Sequence, residues 1–123
     1  MPPPPDAPGL THLRVTLTED FYIGPGRADL LEGIAATGSI AAAGKRMGMS
    51  YKRAWSLVQA LNEGFGRPLV ETSRGGAGQG GATLTADGAF VLERYRAMQA
   101  ATRVAIAADV AALRDRLDMS VRK

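Results

Sequence analysis

A short segment of small residues between two serines constrains the fold of this 123-residue chain more than any other feature. Ser39 is a good N-terminal cap for a helix over Ile40–Met47, and Gly48 closes that helix. Ser50 caps the next helix, in which one apolar stripe recurs at helical spacing: Ala54, Leu57, Val58, Leu61 and Phe65. Two short helices joined by a glycine turn predict a helix-turn-helix or an ordinary helical hairpin, and spacing alone does not separate the two.

The glycines of this segment indicate how closely the two helices pack. Gly44 lies where the first helix has to let the second approach, and Gly48 permits the positive φ of a tight turn. Met47, Ala54 and Leu57 can fill the space between them. We therefore predict a close crossing of the two helices at Gly44.

A strand and a helix are predicted before this unit. Residues 13–18 alternate apolar and polar side chains as a half-buried strand does, and residues 21–23 extend that strand. A helix over residues 27–37 follows, with acidic Asp29 in its first turn and Gly38 at its end. Its apolar positions fall on one face: Leu30, Leu31, Ile34 and Ala35.

A β-hairpin and a long helix are predicted after it. Two strand-like stretches, Leu69–Ser73 and Ala82–Thr85, flank the glycine-rich segment Arg74–Gly81. Thr85 can cap a final helix that runs from about Ala86 to about Leu117. Such a helix is longer than a domain of this size is wide, so part of it has to project.

The distal half of the final helix carries an apolar stripe. Its members recur at spacings of three and four residues: Ile106, Val110, Leu113 and Leu117. A single small domain does not cover this stripe, so we predict that it pairs two subunits into a homodimer. The alternative is that this half of the helix folds back on its own core or frays in isolation.

Positive charge is concentrated in the middle of the chain. Residues 39–82 carry six basic and two acidic side chains, although the net charge of the whole chain is only +3. On the helix after Ser50, Lys52, Ser56 and Gln59 point away from the apolar stripe, and Arg53 flanks them. Cations in a first helical turn oppose the helix dipole, which favours an anion opposite them over a merely solvated basic face.

We predict that this face and the hairpin bind duplex DNA. The candidate contacts are Ser39, Lys45, Ser50, Tyr51, Lys52, Arg53, Ser56, Gln59, Arg74 and Gln79. Between Lys52 and Arg53, the planar fork of arginine favours base contact for Arg53 and backbone contact for Lys52. Trp55 is expected to pack against the edge of the core.

The glycine-rich hairpin tip is better explained as a wing than as a nucleotide-binding loop. It has strand-like stretches on both sides and lacks the Gly-Lys-Ser/Thr pattern that runs into a helix. A side-chain-poor wing can lie against the DNA backbone or minor groove, with Arg74 and Gln79 as its polar contacts. The alternative is a flexible tip with no partner.

Composition argues against catalysis and against a cofactor. The chain has no cysteine, which excludes a disulfide framework and a thiolate metal site, and its lone His12 has no second ligand nearby. No nucleophile-base pair or carboxylate pair stands at chemical spacing, so we expect neither an enzyme nor a bound cofactor. Without a signal-like start or an apolar run of membrane-spanning length, we expect a soluble, cytoplasmic protein with no membrane partner.

Several strings of this sequence resemble the winged helix-turn-helix of LysR-type regulators. They are the segment from Gly38 to Ser50, the string Pro68-Leu69-Val70-Glu71, and Leu84-Thr85. Within that group, the string from Met49 to Trp55 and the long glycine-rich wing resemble the N-terminal domain of ModE-type molybdate-responsive regulators. The resemblance implies that the helix after Ser50 contacts DNA, through Ser50, Tyr51, Lys52, Arg53 and Ser56, and that the final helix pairs two subunits.

The resemblance stops short of a molybdate site. Full-length members of that family bind molybdate in C-terminal domains, and this sequence ends at Lys123 without them. A separate molybdate-binding effector protein, action without a small-molecule signal, and a split system all remain open.

The predicted fold class is mainly α with a small β-hairpin wing, a winged helix-turn-helix with a long C-terminal dimerisation helix. We expect a disordered tail over 1–12, the DNA-binding domain over 13–85, and the long helix with its tail over 86–123. The predicted function is a sequence-specific, duplex-DNA-binding transcriptional regulator. A winged-helix adaptor that binds proteins is the alternative, because the same fold serves both functions.

Overall fold

The structure is a computed structural model that describes residues 9–74 and 80–117, without the side chain of Arg74. Its elements follow one another in the order β1 (Val15–Thr18), β2 (Phe21–Ile23), α1 (Pro25–Thr37), α2 (Ile40–Arg46), α3 (Tyr51–Phe65), β3 (Val70–Arg74), β4 (Gly80–Leu84) and α4 (Ala86–Arg114). The predicted fold class is confirmed: three short helices, a β-hairpin and a long last helix form a winged helix-turn-helix. Of the tail expected over residues 1–12, residues 1–8 lie outside the described residues, whereas Leu10 and His12 are described and line grooves of the domain.

The prediction of one continuous N-terminal strand is wrong, because two antiparallel strands, β1 and β2, form there instead. Val15 pairs with Ile23 and Thr16 with Tyr22, and the register shifts before Thr18 pairs with Phe21. The chain reverses at residues 19–20, where the Asp20 backbone N–H donates to the Thr18 hydroxyl at 3.3 Å. The reversal brings Val15 of β1 and both Phe21 and Ile23 of β2 against the same core, whereas Leu17 stays exposed.

Helix α1 begins two residues earlier than the sequence predicts. Pro25 occupies its first turn, where the missing N–H costs no hydrogen bond. Asp29 therefore lies beyond the first turn, and Ala35 is exposed rather than buried. Gly38 ends the helix with φ of 73°, and its N–H donates to the Ile34 carbonyl at 2.8 Å.

The turn between α2 and α3 forms as predicted. The Ser39 and Ser50 hydroxyls accept the backbone N–H groups of Ala42 at 3.0 Å and Arg53 at 3.1 Å. Gly48 has φ of 71°, a conformation that side chains disfavour. A Cβ on Gly44 would lie only 2.9 Å from the Ala54 Cβ, which confirms the close crossing.

The wing and α4 share one set of hydrogen bonds at their common root. Strands β3 and β4 pair antiparallel from Val70 opposite Leu84 to Arg74 opposite Gly80. The Thr85 N–H donates to the Leu69 carbonyl at 2.9 Å, and the Thr85 hydroxyl donates to the Pro68 carbonyl at 2.7 Å. That hydroxyl also accepts the Gly88 N–H at 3.0 Å as the predicted cap of α4. The start of α4 is thus fixed to the base of the hairpin.

The first half of α4 packs on a core that all the helices and both hairpins share. The largest fully buried side chains are Tyr95, Leu30, Leu31, Ile34, Leu61, Leu69 and Val58. The Tyr95 hydroxyl donates to the Leu13 carbonyl at 2.7 Å, and burial raises the pKa of Tyr95 above its ordinary value. Arg96 bridges to α1 through Asp29 and Glu32, each at 2.8 Å.

The second half of α4 has few neighbours among the described residues. The helix ends at Arg114, so Leu117 follows it instead of lying within it as predicted. Leu113 is 71% exposed and Leu117 is 42% exposed. Ile106 and Val110 are half-buried and line an apolar groove with Gly9 and Leu10 of the same chain. Within the described residues, no helix combines the length and the apolar character that a membrane crossing requires.

Candidate nucleic-acid interface

Helix α3 presents one face to the core and the rest of its surface to solvent. Ala54, Val58 and Leu61 are buried, as the predicted stripe requires, whereas Leu57 and Phe65 are only half-buried at its edge. Lys52, Arg53 and Ser56 are exposed. The N-terminal half of α3 is therefore a polar, cationic surface held in place by a buried apolar face.

The exposed surface of α3 has a centre and two flanks. At about 100° per residue, Lys52 and Ser56 lie opposite the buried stripe. Tyr51 and Trp55 lie on the flank that faces the wing, and Arg53 lies on the flank that faces the β1–β2 hairpin. Three kinds of contact are thus arranged side by side: aromatic, central cationic, and flanking cationic.

A concave groove of about 300 Å³ separates α3 from the wing. Its walls are Ser39 and Ile40 at the start of α2, Tyr51 and Trp55 on α3, and Thr72 and Ser73 on β3. The prediction that Trp55 packs against the core is wrong, because its side chain is 44% exposed and lines this groove. Tyr51 is 56% exposed beside it. Hydroxyls on one wall and aromatic rings on the other suit contact with a sugar-phosphate chain.

The cations of α3 are not used in ion pairs with the described parts of the chain. No carboxylate there lies within 4.0 Å of Lys52 or Arg53. The ion pairs among the described residues join Arg67 to Asp87, Arg94 to Glu93, and Arg96 to α1. The charge on α3 is consequently available to an anionic partner.

The remaining candidate contacts divide into three groups. Ser39 and Ser50 are helix caps, and Lys45 is exposed in the last turn of α2, where a cation also suits the helix dipole. Gln59 is half-buried, so it does not point fully outward as predicted. Arg74 ends β3 with its side chain outside the description, and Gln79 lies outside the described residues altogether.

No sequence pattern indicates the groove wall on β3, because Thr72 and Ser73 look like ordinary strand residues. Trp55 could have been assigned to the surface only from its position four residues after Tyr51, on the same side of α3. Among the described residues, no group of three or more histidine, aspartate or glutamate side chains is placed to hold a metal ion.

Comparison with known proteins identifies relatives of this arrangement. Residues 27–89 match the family described as bacterial regulatory helix-turn-helix protein, lysR family. The molybdenum-pterin-binding protein MopB of Rhodobacter capsulatus is 44% identical over 78 residues, 63% of this chain and 29% of MopB. The DNA-binding transcriptional dual regulator ModE of Escherichia coli K12 is 39% identical over 83 residues, 68% of this chain and 32% of ModE. The chain thus spans about a third of the length of these relatives.

A solved structure shows the same fold. The DNA-binding domain of CbnR, crystallised in complex with DNA, matches with a TM-score of 0.55 and 31% identity. The match covers 71% of this chain and 95% of that domain. Together with the relatives above, it confirms the resemblance to a LysR-type and ModE-type N-terminal helix-turn-helix.

Proposed function

Because the chain belongs to the lysR family of bacterial regulatory helix-turn-helix proteins, we propose that it binds duplex DNA sequence-specifically and regulates transcription. The observation that carries the proposal is the surface of α3, where Lys52, Arg53 and Ser56 are exposed beside a wing. A related domain of the same fold was crystallised with DNA, which supports this partner. The cytoplasm, where bacterial DNA lies, is then the site of action.

In this proposal α3 enters the major groove and the wing follows the backbone beside it. An α-helix fits the major groove of B-DNA, which is about 12 Å wide. Tyr51 and Trp55 would meet the sugar-phosphate chain on the wing side, where Thr72 and Ser73 supply hydroxyl donors. The wing contacts assigned to Arg74 and Gln79 belong to the same proposal.

The placement of the two α3 cations favours a division of roles opposite to the one based on side-chain chemistry. Lys52 lies at the centre of the exposed face next to Ser56, the position nearest to base edges. Arg53 lies on a flank, closer to where a backbone runs. We therefore assign base contact to Lys52 and phosphate contact to Arg53.

Dimerisation through α4 is part of the proposal. The distal stripe of α4 leaves Leu113 largely exposed, and burial of such a side chain contributes about 1.5–3 kcal/mol. Paired α4 helices would hold two α3 helices at a fixed separation on a two-fold operator. We propose that a separate molybdate-binding protein acts as a partner and supplies the regulatory signal. Two relatives, of which this chain matches about a third, carry names that refer to molybdenum.

The test begins with recovery of bound sequences from a random duplex pool at physiological salt. Affinity for the selected site and its single-base variants is then measured for the wild type, Lys52→Gln and, as a control, Arg94→Gln. Arg94 is an exposed cation on α4, away from α3. Loss of a base contact by Lys52→Gln should cost roughly 1–3 kcal/mol at one base pair. If the wild type enriches no sequence, the DNA proposal fails and the protein-binding adaptor becomes the better explanation.

A further inference from the structure

Four basic side chains from separate parts of the chain line one concave pocket beside α3. The pocket has a volume of about 240 Å³ and lies between the β1–β2 hairpin, the start of α1 and one flank of α3. Its basic residues are His12, Arg14, Arg27 and Arg53. No acidic residue contributes to this lining in the described ranges 9–74 and 80–117. The pocket therefore has the chemical character of an anion site.

Tyr22 holds two of the guanidinium groups in position. The Cζ atoms of Arg14 and Arg27 lie 3.8 Å and 4.1 Å from the centre of its ring. Arg27 also donates from one terminal nitrogen to the Tyr22 carbonyl at 2.9 Å. Stacking orients the planar groups and leaves most of their N–H donors unused.

These cations have no carboxylate partner in the part of the chain that the structure describes. There, no aspartate or glutamate oxygen lies within 4.0 Å of Arg14, Arg27 or Arg53. The Nε atom of Arg27 is buried, and the described residues offer it no acceptor. Like charges gathered without counter-charges repel one another, so a bound anion would stabilise the cluster.

The start of α1 adds to the positive potential of the pocket. Gly24, the N-terminal cap, supplies no side-chain acceptor to the first turn. Gly24 and Gly26 line the pocket, and a Cβ on Gly26 would meet no atom within 4 Å. The helix dipole thus reinforces a site that the arginine side chains already define.

We propose that this pocket binds a phosphate group of the DNA backbone that borders the major groove entered by α3. The proposal rests on the DNA-binding function proposed above and extends the interface to the flank of α3 that faces away from the wing. Arg53 belongs to both surfaces, because it lies in the first turn of α3 and lines the pocket. Two backbones border the major groove, so the wing groove and this pocket would each meet one of them.

The test compares the salt dependence of DNA binding among charge variants. Log affinity is measured against log salt concentration for the wild type, Arg14→Gln, Arg14→Lys and Arg94→Gln, on the selected site and on its single-base variants. Each phosphate contact contributes about 0.9 to the slope. Arg14→Gln should lower the slope by about that amount and reduce affinity by the same factor for every sequence. Arg14→Lys and Arg94→Gln should keep the wild-type slope.

A second measurement distinguishes a DNA phosphate from a free oxyanion of the same chemistry. Inorganic phosphate is added to the DNA-free protein at matched ionic strength, and the amide signals of Gly26 and Arg27 are followed by nuclear magnetic resonance. A wild-type slope for Arg14→Gln together with saturable phosphate binding would mean a site for a free oxyanion and would overturn the proposal. A wild-type slope without phosphate binding would overturn it as well.

The same data separate this inference from the proposed function. If Lys52→Gln weakens binding while Arg14→Gln keeps the wild-type slope, the DNA-binding function stands and only the pocket assignment fails. If the wild type binds no duplex, both fail. Thermal unfolding of Arg14→Gln shows that a changed slope does not come from a changed fold.

Discussion

Replacing Gly88 by alanine should destabilise the protein, although alanine is the better helix former. A Cβ at this position in the first turn of α4 would overlap the Leu69 carbonyl oxygen and lie 3.0 Å from the Leu69 carbonyl carbon. That carbonyl accepts the Thr85 N–H at 2.9 Å. Because the obstacle is backbone, no rotation of a side chain relieves it, and α4 has to move away from the base of the wing.

The magnitude follows from three contributions. Alanine in place of glycine gains about 1 kcal/mol of helix propensity. Overpacking of a tight contact costs about 1–3 kcal/mol, and loss of the Thr85 to Leu69 hydrogen bond costs about 1 kcal/mol more. The net loss is about 1–3 kcal/mol, which corresponds to a decrease in Tm of about 4–12 °C for a domain of this size.

The assay is thermal unfolding followed by circular dichroism, with Gly26→Ala as the matched control. Gly26 also lies in the first turn of a helix, but a Cβ there would meet no atom within 4 Å. Gly26→Ala should therefore leave the Tm unchanged or raise it, because alanine stabilises a helix by up to about 1 kcal/mol relative to glycine. If Gly88→Ala raises the Tm as Gly26→Ala does, the contact between α4 and Leu69 does not constrain the fold as argued.

Two further changes test the core and the proposed dimer. Tyr95→Phe removes the hydroxyl that donates to the Leu13 carbonyl and should lower the free energy of unfolding in urea by about 1 kcal/mol. Because burial raises the folded-state pKa of Tyr95, its contribution is fully present below a pH of about 10 and is lost as pH rises through the folded-state pKa. Equal alkaline losses in both proteins would contradict this. Leu113→Asp should produce monomers in sedimentation equilibrium. Val104→Asp should not, because Val104 is 79% exposed on the opposite face of α4. If both variants have the same mass, the apolar stripe does not form the dimer interface.

Local chemistry explains which elements the sequence predicts well. Ser39, Gly48 and Ser50 fix the ends of α2 and α3 through hydrogen bonds and backbone conformations within a few residues, so each boundary is readable from its own neighbourhood. Thr85 acts in the same way at the start of α4. The β1–β2 hairpin was missed because its turn at residues 19–20 carries no glycine, asparagine or proline signal.

The candidate sites depend on contacts that no local pattern reports. Trp55 lines a groove whose opposite wall is the wing, and the position of the wing is set by tertiary packing. The basic pocket joins Arg14, Arg27 and Arg53, which are far apart in the chain and meet only after the hairpin folds onto α1 and α3. Periodicity identified the α3 cations, but it could not identify their neighbours.

Helix α4 is fixed at its start and projects at its far end, so a small change in its direction produces a large displacement of that end. Beyond Gln99, the last buried residue of α4, about 15 residues extend over roughly 22 Å at 1.5 Å per residue. A bend of 10° at Gln99 would move the far end by about 4 Å on this length. The start of α4 stays fixed meanwhile, because Thr85 ties it to Leu69 and Pro68 at the base of the wing.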